Sequence, residues 1–490
     1  MDLTEQTPQP AASSHGLKKE LRLRDLVLMQ VVLVVGITWS GIAARQGSSH
    51  VWFWILGILA MFIPQAMVVQ YASRIWPLEG GVYQWTKYAL GPFAGFMAAW
   101  NFALWALFAV SNLSILFSSS VAFALGTRWA WIAEDKPLIL LLNLLLFGII
   151  LAVTIPGFHI GKWVNHFAAA VTLFLGFSLA ILIVYHPGSS QAHPHVSPQL
   201  PISFAFPAIT LLSINIFSKI CNSALTGLEQ LAIFAGETRD PGKSILRSAW
   251  IGAPLTGLIY ILMTVSMLTY TQASQIDLAA PVPQVLAAAF GGSGGAVPLW
   301  IVLLGRAAIF ALALSLVAQY SVIIAATSRL PLVAGWDHLV PQWFTRLHPR
   351  FRTPTRSLYF ITLCALALGV GSLYGAGHEE AFQLINGGSL ASYGIYYVMF
   401  FAVPVAVVLS KKLRHLPRPG FWLVLSALSG AFITLLGVVF ALQPIIYVPS
   451  KFIFGLKVGL VTLGVNLAGA LLYVRGVRRK NAEEAVAVQT

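Results

Sequence analysis

The sequence predicts an all-α polytopic membrane protein with twelve transmembrane helices, and three observations predict it. Hydrophobic residues fill 58% of the 490 positions and charged ones only 9%, with a mean hydropathy of +0.79, whereas an average soluble domain is roughly 25% charged. Apolar runs long enough to span a bilayer, about 20 residues, recur along the chain. Most of the 30 Lys and Arg residues fall in alternate connections between these runs, the asymmetry of loops held in the cytoplasm during insertion.

The elements follow in order. Residues 1–24 are polar, lack the apolar core and cleavage site of a secretory signal, and read as a cytoplasmic tail. Spans are expected at 25–45, 51–73, 93–125, 137–155, 160–185, 207–236, 248–271, 298–329, 356–374, 381–410, 419–442 and 453–474. With the amino terminus inside, both termini are cytoplasmic, and the basic runs 346–356, 411–418 and 475–480 lie inside too. The far side keeps little beyond Arg45, Arg128, Lys136 and Lys451. The formal charge of +14 therefore reports orientation in a plasma membrane or bacterial inner membrane. A nucleic-acid partner is not expected, because no soluble face interleaves basic and aromatic residues. Cys221 and Cys364 both sit in apolar stretches, so no disulfide framework or cysteine-ligated metal is expected.

Residues 186–206, rich in Pro, His and Ser, form an outer loop that separates spans one to five (25–185) from spans six to ten (207–410). Residues 411–474 hold the last two spans and 475–490 a cytoplasmic tail. The outer connection 272–297 contains "PVPQVLAAAFGGSGG", which reads as a short helix at the mouth. The first and sixth spans are interrupted alike, by "VVGITWSGIAA" around Gly41 and "NSALTGLEQ" around Gly227. Matching interruptions in two halves are the sequence sign of an inverted-repeat transporter, whose broken helices present backbone groups to a substrate near the midplane. Close helix packing at small residues is the alternative for either stretch taken alone.

Four stretches resemble the amino acid, polyamine and organocation (APC) superfamily of secondary transporters. "WSGIA" at 39–43 resembles its first-helix glycine signature, and "PLEGGVYQWTKYALGPFAGFMAAW" at 77–100 is similar to the Pro-x-x-Gly-Gly-x-Tyr start of its third helix. "ALTGLEQLAIFAGETRDPGKSI" at 224–245 resembles its broken sixth helix, and "SRLPLVAGWDHLVPQWFTRLHPRFRTP" at 328–354 the loop after its eighth. The resemblance implies a LeuT-like five-plus-five inverted repeat with broken first and sixth helices. It also implies a zwitterion site: amides of Ser40, Gly41 and Ile42 at an α-carboxylate, and carbonyls of Ile37, Ser223, Ala224 and Thr226 at an α-amino group, beside Gly227. Trp39 departs from the family, standing where it usually has its first glycine; either the break is shifted, or the indole closes part of the pocket, or it simply faces lipid or a neighbouring helix.

Charge at bilayer depth costs about 2.5–3.5 kcal/mol even on permissive scales. Glu229 is therefore read either as a proton-coupling acid, the use the family makes of acids here, or as a hydrogen-bond acceptor bracing the break. Lys219, Ser223 and Gly227 are four residues apart, which on a regular helix is one face. Lys219 then either selects acidic substrates or serves as an internal counter-charge. The lysine that replaces sodium in some members has Thr172 at its position here; Thr172 with Gln319 or Ser321 either supplies oxygens to sodium or makes interhelical hydrogen bonds. A proton is the favoured coupling ion over sodium. His159 and His166 lack a third ligand at metal spacing, and Asn101, Asn112 and Asn386 read as helix glue.

The expected function is secondary active transport of an amino acid or related amine by alternating access, with proton coupling or exchange and no cofactor. The alternative is a non-transporting sensor or partner-anchoring protein on the same fold. An enzyme is not expected, since no catalytic groups cluster at one face and no phosphate loop is present.

Overall fold

A computed structural model describes residues 19–76, 78, 80–184, 201–234, 237–291, 297–336, 339–372, 378–445, 448 and 450–489. The helices are α1 Leu23–Val34, α2 Ile37–Ala44, α3 His50–Gly57, α4 Ile63–Ile75, α5 Val82–Leu90, α6 Pro92–Ser111, α7 Leu113–Leu125, α8 Lys136–Thr154 and α9 Phe158–Val184. Beyond the outer loop come α10 Leu211–Lys219, α11 Gln230–Ile233, α12 Pro241–Tyr270, α13 Pro281–Gly291, α14 Leu299–Trp336, α15 Thr355–Ser372, α16 His378–Leu409, α17 Phe421–Ala441 and α18 Lys451–Gln489. Strand structure among the described residues is limited to one isolated bridge, Leu21 to Thr238.

Nine helical stretches among the described residues are long and apolar enough to cross a membrane. The predicted spans outside those nine are the first and sixth, each split in two, and the ninth, whose α15 is a shorter apolar helix. The short helix expected at the mouth is α13, packed on α2, α7, α12 and α14. Of the predicted outer loop, residues 186–200 lie outside the described residues, as do Pro77 and Glu79 of the third-helix motif and the side chain of His159.

The first span breaks at Val35–Gly36, where both residues are extended (ψ 92° and 121°). The expected break at Ser40, Gly41 and Ile42 is not there: all three lie inside α2, and the Gly41 carbonyl accepts the Arg45 amide at 3.3 Å. Gly41 serves packing instead, since a Cβ at that position would meet Pro281 of α13 at 2.7 Å. Ile37 is the first residue of α2, so its carbonyl points into the helical ladder and away from a ligand.

The sixth span breaks where expected. After α10 a wide turn, 220–224, closes with the Leu225 amide on the Ile220 carbonyl at 3.3 Å, and Gly227 takes φ +116°. Only glycine reaches that backbone region without strain. The wide turn has a second consequence. An i to i+5 turn carries an extra residue, so four-residue spacing no longer stacks side chains on one face. Lys219 and Ser223 therefore point to different neighbours, contrary to the regular-helix expectation.

On the predicted inner side, the amides of Glu20 and Leu21 both donate to the Glu237 carbonyl at 3.0 Å, and the Arg239 amide donates to Leu21. The buried Glu237 carboxylate takes two hydrogen bonds from Arg329 of α14, at 2.7 and 2.6 Å. This ties the segment before α1 and the end of the sixth span to the eighth.

Candidate functional site

The two breaks face each other. A Cβ on Gly227 would lie 3.3 Å from Val34 Cγ2, and Gly36, Thr38, Trp39 and Ser223 line one cavity. Its remaining wall comes from α6, α7, α14 and α16, including Trp105, Asn112, Gln319, Tyr320 and Asn386. Trp39 thus faces the cavity, not lipid. Its indole covers the break, because a Cβ on Gly36 would meet Trp39 Cδ1 at 2.6 Å.

Breaking a helix strands backbone groups that must find partners when buried. In the first span two side chains supply them. Tyr260 of α12 accepts the Gly36 amide at 2.9 Å and donates to the Val34 carbonyl at 2.6 Å. Gln319 of α14 donates to the carbonyls of Val32 (2.6 Å) and Val35 (3.3 Å). The next amides of α2, those of Ile37 and Thr38, come at the start of the new helix, where no preceding turn offers a carbonyl.

At the sixth-span break, Glu229 is 0% exposed and sits in a cage that the sequence alone did not reveal. Tyr393 of α16 donates to Glu229 Oε1 at 3.0 Å, and Tyr397 donates to Oε2 through a short hydrogen bond. The Tyr397 hydroxyl also accepts the Gly227 amide at 3.0 Å and Gln65 Nε2 at 2.6 Å. Gln65 Oε1 accepts the Leu228 amide at 3.2 Å, and Gln230 Nε2 donates to Tyr393 at 2.8 Å. Tyr393 stacks on Trp105 with centroids 4.3 Å apart and planes at 16°, so the cage abuts the cavity wall. The available signal was "SYGIYY", two tyrosines four apart within a span and therefore on one helix face.

Lys219 does not join the cavity lining. The residue is 6% exposed, and its ammonium donates to the Gln443 carbonyl at 2.6 Å, just past the end of α17. Gln319 and Ser321 face different surroundings. The Gln319 amide presents its donor to the first break, and Ser321 lines a separate small cavity with Thr154, Asn165 and Arg329. No cluster of three metal-ligating side chains occurs among the described residues. The remaining polar residues glue helices: Asn101 donates to Asn466 at 2.7 Å, Asn112 to Asn386 at 3.3 Å, and His166 lies 2.9 Å from Asp25.

The sequence profile of the amino acid permeases matches residues 26–462, most of the chain and both helix breaks. The chain belongs to the amino acid permease family. The permease is 23% identical over 420 residues to an uncharacterised transporter of Legionella pneumophila, covering 84% of this chain and 87% of that one. It is 25% identical over 431 residues to a branched-chain amino acid permease of Bacillus subtilis, with 83% and 84% covered. Over 250 residues, half of each chain, it is 24% identical to a probable agmatine/putrescine antiporter of Lactococcus lactis. Family and relatives make it a membrane transporter of the APC superfamily and not an enzyme.

Proposed function

We propose that this permease is a secondary active transporter that moves an amino acid or related amine by alternating access between two five-helix inverted repeats. The observation that carries the reading is the meeting of two broken spans on one cavity. The first and sixth spans cross the membrane as half-helices and α15 as a short span, which together with the nine long stretches makes twelve. Both termini are cytoplasmic. The α-carboxylate sits at the start of α2, on the amides of Ile37 and Thr38 in place of those first expected at Ser40, Gly41 and Ile42, because that is where the half-helix begins. The α-amino group sits at the carbonyl end of the outer half of the sixth span, near Ser223, Ala224 and Thr226. A cavity beside Trp39, where the two breaks meet, favours transport over a sensor.

Glu229 is the coupling acid in this reading, and the hydrogen-bond count says how a proton is felt. Both acceptor positions of the Tyr397 hydroxyl are filled, by Gly227 and Gln65. A proton on the carboxyl is therefore accepted by Tyr393, which must turn its own proton away. Tyr393 stacks on Trp105, so protonation reaches the cavity wall.

Counterflow of labelled amino acids and amines into liposomes holding the purified protein tests transport, with pH and sodium gradients imposed in turn. Exchange of at least one such solute is expected. Failure of every amino acid and amine to exchange would overturn the reading.

A further inference from the structure

The wall that receives the substrate side chain has a definite chemistry. No acidic or basic side chain is among its described lining residues. Lys219 is turned to α17 and Glu229 is enclosed by tyrosines, so neither offers a counter-charge there. A charged side chain taken from water into such a wall loses hydration without gaining a partner, which costs several kcal/mol. The cavity therefore selects against cationic and acidic side chains.

The wall is not uniformly apolar. Trp39, Trp105, Leu116, Leu316, Tyr320 and Ile323 give it breadth, while Asn112, at the junction of α6 and α7, and Asn386 of α16 form a paired amide patch. Asn112 is 2% exposed, and its Oδ1 has no hydrogen-bond partner among the described residues. A buried acceptor left without a partner is destabilising, a cost that a ligand donor removes. The patch lines the same cavity as Gly36 and Ser223 of the two helix breaks.

We propose that this permease prefers amino acids with an uncharged side chain that donates a hydrogen bond, a hydroxyl or a carboxamide, read by Asn112 and Asn386. The proposal rests on the transport reading above and adds the substrate class. Sites built to hydrogen-bond a polar group discriminate against shape-matched apolar analogues, because the site's own polar atoms are then unpaired.

The test is competition against counterflow of labelled threonine and labelled glutamine in proteoliposomes of the full chain. Threonine should inhibit at least about tenfold more strongly than its isostere valine, and tyrosine more strongly than phenylalanine, while lysine and glutamate fail to compete. Asn112→Leu should erase the threonine preference, bringing inhibition by threonine down to that by valine. Thermal stabilisation of the unaltered protein by the same pairs gives a readout that does not depend on the variant folding. Valine matching threonine in both measurements, or lysine or glutamate competing best, overturns the assignment while transport stands. Exchange of no amino acid or amine overturns both.

Discussion

Replacing Tyr397 with Phe removes one oxygen and strands two donors. The Gly227 amide, now 3.0 Å from that oxygen, belongs to a backbone fixed at φ +116° and cannot turn to another partner. Gln65 Nε2, at 2.6 Å, is held because the other end of the same amide accepts Leu228. Each stranded buried donor costs about 1–3 kcal/mol, so the substitution should cost about 2–6 kcal/mol. Tyr393→Phe is the matched comparison. It takes one donor from Glu229, as Tyr397→Phe does, but of the donors resting on its oxygen it strands Gln230 Nε2 alone, on a side chain whose Oε1 is already without a partner, so it should cost about 1–3 kcal/mol less. Thermal denaturation of both purified variants in detergent measures the order, with Tyr397→Phe melting well below Tyr393→Phe. Equal melting, or the reverse order, would refute the view that Tyr397 holds the sixth-span break.

Four further outcomes are expected. Glu229→Gln keeps counterflow but loses uptake driven by a pH gradient, because the amide seats its oxygen at Tyr397 yet takes up no proton; gradient-driven uptake at the unaltered rate counts against coupling there. Lys219→Ala lowers thermal stability and leaves the preference between glutamate and neutral amino acids unchanged in competition assays, since its ammonium serves the Gln443 carbonyl. Gly41→Ala drives a methyl against Pro281 and lowers stability by about 1–3 kcal/mol, measured by denaturation. Arg329→Met leaves the Glu237 carboxylate buried and alone, at about 3–5 kcal/mol, and Glu237→Leu in the same chain restores part of the lost melting temperature.

The sequence by itself determined the class of the protein and the two interrupted spans. Hydropathy, charge asymmetry and the interruptions at "VVGITWSGIAA" and "NSALTGLEQ" are local properties, because a bilayer penalises each charge and each unpaired peptide group wherever it occurs. Gly227 could be read as a break from its own neighbourhood. Choosing between Gly36 and Gly41 could not be done that way, for Gly41 is small on account of Pro281, 240 residues later, and the break five residues before it is held by Tyr260 and Gln319. The same limit applied to the charges. Where Lys219 points depends on a wide turn after it and on the end of α17, and what surrounds Glu229 depends on two tyrosines of α16. Periodicity assigns a face to a residue, but the partner on that face is chosen by which distant helix packs there, and that is a property of the folded chain alone.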